Sequence, residues 1–268
     1  RALTGWRVHD GMADGFYFDR SMHDDAPKRV LGRALPGGRG IEDGLHVLDI
    51  AVHHPATPRF ICTKLCRRFV ADTPPADLVE SAAQVWESHD GAIVPVLRHI
   101  LTSEAFRASA GMKLRRPLEF FIAAARATGA VYRDSWTLNE TLNALGQPPF
   151  GWGPPNGYPD VAGAWLASGL MLERWNTAIA MTHTAHSEQG SRIDTQIRQR
   201  VGTPGTVGAL IDAVSEQVFG APLPAEARAP FLLFMEADAS TPVTPLLMAD
   251  KFGMLFGLML ASPHFQWH

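Results

Sequence analysis

The residues best suited to acid–base chemistry in this sequence are three carboxylates, Glu119, Asp160 and Asp24. A carboxyl group transfers protons efficiently when its surroundings bring its pKa near the working pH. Two such groups, about 5–9 Å apart across a cleft, can cleave a glycosidic bond. One hypothesis is therefore a glycosidase-like hydrolase that uses these three residues as its catalytic groups.

Glu119 is flanked by apolar residues, with Leu118 before it and two phenylalanines after it. If its side chain faces the core, the loss of water raises its pKa, as a general acid needs, while pairing with Arg115 or Arg116 would offset that rise. A first-turn glutamate that interacts with the helix dipole is the alternative. For Asp160 the alternative is N-capping of the helical run that follows it.

Residues 151–160 read GWGPPNGYPD, and their prolines and glycines exclude a helix interior or a central strand. We expect a rigid loop that presents aromatic groups ahead of a helix. Such rings could form a stacking wall for sugars, whereas core packing is the alternative for any tryptophan. The candidate substrate-binding residues are Trp152, Asn156, Tyr158, Trp165 and Trp175. We expect Arg174, on the same helix, to bond carbonyl groups of the loop.

Two histidine-containing segments have side chains that divalent metals bind. They are His9-Asp10 with His23-Asp24-Asp25, and His183 and His186 with Glu188. Neither spacing is a tight metal motif, so we favour solvated groups and expect no metal and no cofactor. The sequence also lacks a glycine-rich phosphate loop, a G-x-S-x-G elbow and an H-E-x-x-H motif.

Most of the chain has the periodicity of amphipathic helices. Pro55–Ala71 is the clearest case, because two adjacent i,i+4 rows of apolar residues begin at Ile61 and Cys62 and basic residues take the other face. The same pattern predicts helices over Ile41–His53, Ala76–His89, Ile93–Leu101, Pro117–Thr128, Leu138–Leu145, Leu170–Met181, Pro204–Phe219, Ala225–Glu236 and Thr244–Ala261. Thr203 is the predicted N-cap and Gly220 the predicted C-cap of the helix after Pro204.

The N-terminal segment differs from the rest. Phe16–Phe18 and Arg29–Leu31 are strand-like pieces that flank a polar turn over 19–28, and a glycine-rich loop follows over 35–40. The predicted fold class is mainly α, a compact multi-helix domain with a small β-hairpin or flap near the N-terminus. We expect a single domain over 1–268, with flap and loop over 1–40 and a helical body over 41–268.

Composition excludes several classes of protein. A net charge of −3 provides no basic footprint for nucleic acid. The longest apolar run, Phe252–Ala261, is too short to span a bilayer. No apolar segment of a signal peptide follows Arg1. Residues 1–6 look like the tail of a helix ended by Gly5, so we expect the chain to start inside a longer protein. Cys62 and Cys66 are four apart on a helix, where a disulfide has poor geometry, so we expect two buried thiols.

Several blocks of sequence together resemble one bacterial family, the domain-of-unknown-function 1800 family. They are HPATPRFICTKLCRRFV (54–70), RPLEFF (116–121), GQPPFGWGPPNGYPD (146–160), ERWN (173–176) and LASPHFQ (260–266). The resemblance implies a mainly helical, often exported bacterial protein, and it implies no established reaction. Family members usually carry a further helical half upstream of Thr4-Gly5-Trp6. Asn156 stands where the family often has an acid.

Two functions remain open on the sequence alone. The first is a hydrolase that acts on a polysaccharide through carboxylate general acid/base chemistry. The second is a non-catalytic binding or assembly module of an exported system, with the 151–176 surface as a protein contact. Two close carboxyls in an open cleft would favour the enzyme, and a flat apolar patch at Trp152 and Trp165 would favour the module.

Overall fold

A computed structural model describes residues 1–8, 15–130, 135–182 and 193–268, with only the backbone described over 193–196. These residues form two compact units. The first comprises Arg1–Cys66 and Pro74–Ser103, and the second comprises Arg67–Thr73 and Glu104–His268. The sequence-based expectation of a single domain with a 1–40 flap and a 41–268 body stays a prediction.

The first unit combines short strands with helices. Its strands are β1 (Trp6–Val8), β2 (Phe16–Phe18), β3 (Lys28–Val30) and β4 (Arg33–Leu35). Its helices are α1 (Ile41–Val52), the first three turns of α2 (Thr57–Phe69), α3 (Ala76–Ser88) and α4 (Ile93–Leu101). The boundary between the units falls inside α2, after Cys66.

The strands pair as two antiparallel hairpins, β1 with β2 and β3 with β4. Strands lie near 16–18 and 29–31, as predicted, but these two segments pair with β1 and β4 rather than with each other. Leu31 and Gly32 both have positive φ, 47° and 81°, which is the backbone of a two-residue type I′ turn. That turn closes β3 onto β4.

The second unit is helical in all of its described elements apart from turns and loops. They are α5 (Glu104–Ala108), α6 (Pro117–Thr128), α7 (Ser135–Ala144), α8 (Ser168–Thr182), α9 (Ile193–Val201), α10 (Val207–Phe219), α11 (Ala225–Met235), α12 (Pro245–Ala261) and α13 (Pro263–Gln266). The fold class, mainly α with small β structure near the N-terminus, is therefore confirmed.

The core of the second unit forms around α8 and α12, which pack closely. Gly257 makes this approach available, because a Cβ there would lie 2.8 Å from Oγ1 of Thr182 and 3.2 Å from Cα of Ile179. Phe252 and Phe256 on the same helix are fully buried. The packing of α6, α10 and α13 around this pair fixes the segments that carry the candidate site.

Within α2 the buried row is Cys62, Cys66 and Val70, whereas the parallel row that starts at Ile61 is only half-buried. The cysteines are free, buried thiols, as expected. The helix after Pro204 begins later than predicted: Thr206 rather than Thr203 is its N-cap, since the Thr206 hydroxyl accepts from the N–H of Ala209 at 3.3 Å.

Candidate functional site

Glu119 and Asp160, the two leading carboxylates, lie together in the second unit. Both contact the same guanidinium nitrogen, Nη1 of Arg68, with 3.8 Å to Oδ1 of Asp160 and a shorter contact to Oε1 of Glu119. Their nearest oxygens are consequently at most about 6 Å apart, a separation that two glycosidase carboxyls can have. Arg116 also contacts both, at 2.8 Å from Glu119 and 3.9 Å from Asp160.

Helix α6 holds Glu119 at its first turn. Pro117 starts the helix, and Oε2 of Glu119 accepts a hydrogen bond of 2.9 Å from the backbone N–H of Arg116. This is the return bond of a capping box. Both the pairing with Arg116 and the first-turn position that the sequence offered as alternatives are therefore present.

The electrostatic consequence is that Glu119 stays ionised. Burial by itself would raise its pKa, but the hydrogen bonds from the side chain and backbone of Arg116, together with the charge of Arg68, lower the pKa overall. The offset by arginine pairing that the sequence allowed therefore outweighs the rise in pKa from burial. The group is a carboxylate at neutral pH, suited to accepting a proton or a positive charge.

Asp72 is a member of this cluster that the sequence analysis missed. Its carboxylate accepts 2.6 Å hydrogen bonds from Nζ of Lys113 and from the backbone N–H of Ala162. Burial would raise the pKa of Asp72, yet these two bonds outweigh it and lower the pKa. No local pattern marks Asp72, because its partners lie 41 and 90 residues further along the chain.

Asp160 does not cap the turn that follows it. The described turn Ala162–Ala164 is preceded by Val161, and it is Asp72 that bonds its first N–H. Asp160 instead faces cations, with Nζ of Lys113 3.5 Å from its Oδ1. Its N-capping alternative is thus wrong.

Arg174 is fully buried beneath this cluster. Its Nη1 donates to the backbone oxygen of Arg115 at 2.8 Å and to Oε1 of Gln266 at 2.9 Å, so the expected clamp on the proline-rich loop is wrong. Its Nε and Nη2 have no hydrogen-bond partner among the described residues. Burial lowers the pKa of Arg174 to about 10, which still leaves it charged at neutral pH.

The aromatic loop is built as a stack. The Trp152 ring lies 5.1 Å from that of Tyr158, which lies 5.9 Å from that of Trp165. Trp165 is only 4% exposed and forms the base, whereas Trp152 is 37% exposed at the top. Trp165 therefore cannot touch a ligand at the surface. The expectation that all four aromatic rings form one stacking wall for sugars is wrong for this residue.

The N–H or O–H group of each ring in the stack donates a hydrogen bond to an acceptor within the protein. The indole N–H of Trp152 donates to Oδ1 of Asn156 at 3.0 Å, and the Tyr158 hydroxyl donates to the backbone oxygen of Pro148 at 2.8 Å. Trp165 donates to the backbone oxygen of Pro159 at 3.0 Å. These bonds orient the three rings, and the rigidity expected of the loop stays a prediction.

The remaining candidates are elsewhere. Trp175 is 46% exposed on α8. Asp24 lies in the first unit, where it pairs with Nε of Arg1 at 2.5 Å and accepts from the backbone N–H of Ala26 at 3.0 Å. These contacts, with hydrogen bonding to Arg1 the largest, lower the pKa of Asp24, so it too is ionised.

The metal candidates His9, Asp10, His183, His186 and Glu188 lie outside the described residues. Within the described ranges, no three His, Cys, Asp or Glu side chains come together in an arrangement that could hold a metal ion. The helices of those ranges also include none with the length and apolar content needed to cross a membrane.

A family model described as "Protein of unknown function (DUF1800)" matches residues 1–267, essentially the whole chain. The chain belongs to the DUF1800 family. No curated protein and no solved structure matched it. The DUF1800 match carries no reaction with it, and the expected upstream half of the family stays a prediction. Membership of the DUF1800 family therefore assigns no function, and the side chains of the site are the basis for inferring one.

Proposed function

We propose that the protein is a non-catalytic module that binds a polysaccharide, with Trp152 as the ring on which a sugar stacks. The observation that supports this is the fixed stack of Trp152, Tyr158 and Trp165, in which only the outermost ring is substantially exposed. A ring that is already oriented loses little conformational freedom when a ligand packs on it, so more of the contact energy becomes affinity.

The charge beside the stack indicates which polysaccharide. Asp160, two residues after Tyr158, belongs to a cluster with an excess of cations in the described residues. The cations are Arg67, Arg68, Lys113, Arg115, Arg116 and Arg174, and the carboxylates are Asp72, Glu119 and Asp160. Six positive against three negative groups leave three positive charges, in a chain whose net charge is −3. This surplus favours a sugar polymer that carries carboxylate or sulfate groups.

The test is binding of the whole chain to polygalacturonate and to neutral dextran, by titration calorimetry. We expect polygalacturonate to bind more tightly and to weaken with added salt, since part of its attraction is electrostatic. Trp152→Ala should weaken binding by at least about 5-fold, the loss of roughly 1 kcal/mol of ring contact. The matched control is Trp136→Ala, which removes an exposed tryptophan from α7 in the same unit.

Equal weakening in both variants would show that Trp152 is not the binding ring and would overturn the proposal. If no polysaccharide binds, the module would instead bind a protein through its 151–176 surface. The exposed apolar side chains of Leu166, Leu172 and Trp175 support such a contact. Export, which the family resemblance implies, would bring either form of the module to an extracellular ligand.

Hydrolysis is the second candidate, and the approach of Glu119 and Asp160 to a shared Arg68 favours it. Because Glu119 is held ionised, it would act as nucleophile or base, with Asp160 beside it as the second carboxyl. Glu119→Gln and Asp160→Asn should each lower turnover of a polysaccharide about 10²–10⁴-fold if this is correct. Glu140→Gln on the exposed face of α7 is the control. Unchanged turnover, or a loss that follows a lowered melting temperature, would make both carboxylates structural.

A further inference from the structure

A concave feature lies in the first unit, apart from the aromatic and charged residues of the second unit. It is a cleft of about 210 Å³, formed where α1 ends, α2 begins and the turn after α3 meets them. Its apolar walls include Trp86 and Pro55, and its polar lining comes from His53, His54, Glu87 and Asp90. A space of this size admits a small ion or molecule.

The turn after α3 is shaped in a way that builds this cleft. Asp90 and Gly91 both have positive φ, 50° and 77°. The N–H of Gly91 donates to the backbone oxygen of Trp86 at 2.9 Å, and a Cβ on Gly91 would lie 3.2 Å from Cζ2 of that indole. Glycine therefore lets the backbone lie against the ring, while Asp90 holds a conformation that is uncommon for a non-glycine residue. Such retained strain often marks a ligand site.

The charges that line the cleft are mainly negative. Oδ1 of Asp90 is 3.6 Å from Nε2 of His53, whose Nδ1 is 3.1 Å from Oδ1 of Asp49. Glu87 contributes the second carboxylate of the lining. His54 accepts from the backbone N–H of Ala56 through Nδ1, so its neutral ring carries the proton on Nε2. Two carboxylates, Glu87 and Asp90, thus line the cleft with two imidazoles, and Asp49 contacts His53 from outside the lining.

We propose that this cleft binds a small organic ammonium ion, with its charge between Glu87 and Asp90 and its carbon atoms against Trp86 and Pro55. Carboxylates attract the cation, and an indole adds both apolar contact and a favourable ring quadrupole. A hydrated metal ion would gain nothing from the apolar walls, which is why the chemistry points to an organic cation. The site is independent of the polysaccharide proposal, because it uses other residues of another unit.

His53 makes the binding depend on pH. Its pKa is raised, first by the hydrogen bond to the backbone oxygen of Asp49 and then by the charges of Asp49 and Asp90. Protonated His53 competes with the ligand for Asp90. The affinity for an ammonium ion should therefore increase as pH rises through the pKa of His53, and His53→Gln should remove that dependence.

The experiment is calorimetric titration of the whole chain with choline chloride, n-butylamine hydrochloride and 3,3-dimethylbutan-1-ol at constant ionic strength. The alcohol has the shape of choline without its charge. We expect at least one ammonium salt to bind, the alcohol to bind at least about 5-fold more weakly, and Glu87→Gln to reduce ammonium affinity by about 5-fold. Glu80→Gln, an exposed carboxylate on the same helix, should leave the affinity unchanged.

Binding of choline or butylamine that survives Glu87→Gln and Asp90→Asn would place the ligand elsewhere and overturn the proposal. So would equal binding of the alcohol, because the charge would then have no role. Tighter binding of zinc or calcium chloride that displaces choline would assign the cleft to a metal instead. Thermal melts of each variant separate loss of the site from loss of the fold.

Discussion

At the scale of single residues, Cys62 and Cys66 give the sharpest prediction. Both thiols are buried in helix α2, and burial raises the pKa of each to about 11. Only the thiolate reacts with disulfide reagents, so the native protein should label very slowly at pH 7.5. The measurement is thiol labelling with and without urea, and both thiols should react at once after unfolding. Rapid labelling of both in the native state would contradict their burial.

Glu119 shows what residue-level reasoning could and could not predict. Its apolar neighbours in sequence suggested a buried carboxyl with a raised pKa, and the pairing that reverses this came partly from Arg116, three residues away. The rest comes from Arg68, which precedes it by 51 positions in the chain. Local sequence thus identified the residue and its pairing with Arg116, which is the main cause that lowers its pKa, whereas the smaller contribution of Arg68 depends on a contact that no local pattern encodes.

At the scale of elements, the α8–α12 pair depends on small residues at its contact. Gly257→Ala would place a Cβ 2.8 Å from the Thr182 hydroxyl and 3.2 Å from the backbone of Ile179, so the helices must move apart. Overpacking of this kind costs about 1–3 kcal/mol. Thermal or urea unfolding of Gly257→Ala should show that loss.

Gly169 provides the matched control for this substitution. It also lies in a helix, α8, and a Cβ there would meet nothing within 4 Å. Gly169→Ala should therefore stabilise the protein by about 0.4–1 kcal/mol, because alanine restricts the unfolded chain and favours helix. Equal stability changes in the two variants would mean that α8 and α12 do not approach as closely as described.

Elements with strong periodicity were the predictable part of the fold. Pro117–Thr128 and Ile93–Leu101 have the predicted bounds, and Gly220 ends its helix with φ 77° as a C-cap glycine does. The short helices Glu104–Ala108 and Pro263–Gln266 were missed, since one turn shows no period. The partner strands Trp6–Val8 and Arg33–Leu35 were not predicted, because nothing local specifies which partner a short strand takes.

At the scale of the whole molecule, stability should decline in acid because ionised carboxylates hold both units. In the first, Asp43 is buried with Lys28 at 2.5 Å; in the second, Asp72 and Glu119 carry the ion pairs described above. Burial would raise the pKa of Asp43, but hydrogen bonds from Lys28 and His23 lower it overall. All three groups thus have a lower pKa in the folded protein than in the unfolded chain.

The sign of the pH effect follows from that difference. An unfolded chain takes up protons at the ordinary pKa values, 3.8 for aspartate and 4.5 for glutamate, before the folded protein does. The stability these groups provide is therefore complete above pH ~4.5 and is lost as pH falls through their lower folded pKa values. The melting temperature should be nearly constant from pH 6 to 5 and should then fall steadily towards pH 2.5.

The Asp72→Asn variant tests whether this acid sensitivity comes from the proposed groups. It removes one ionised carboxylate, leaves Lys113 without its charged partner and should lower the melting temperature at pH 6. The same variant should lose less on acidification than the wild type, because one proton-linked group is gone, so the two curves converge towards pH 2.5. Glu140→Gln should reproduce the wild-type curve. Parallel curves for wild type and Asp72→Asn would show that the acid transition originates in other groups.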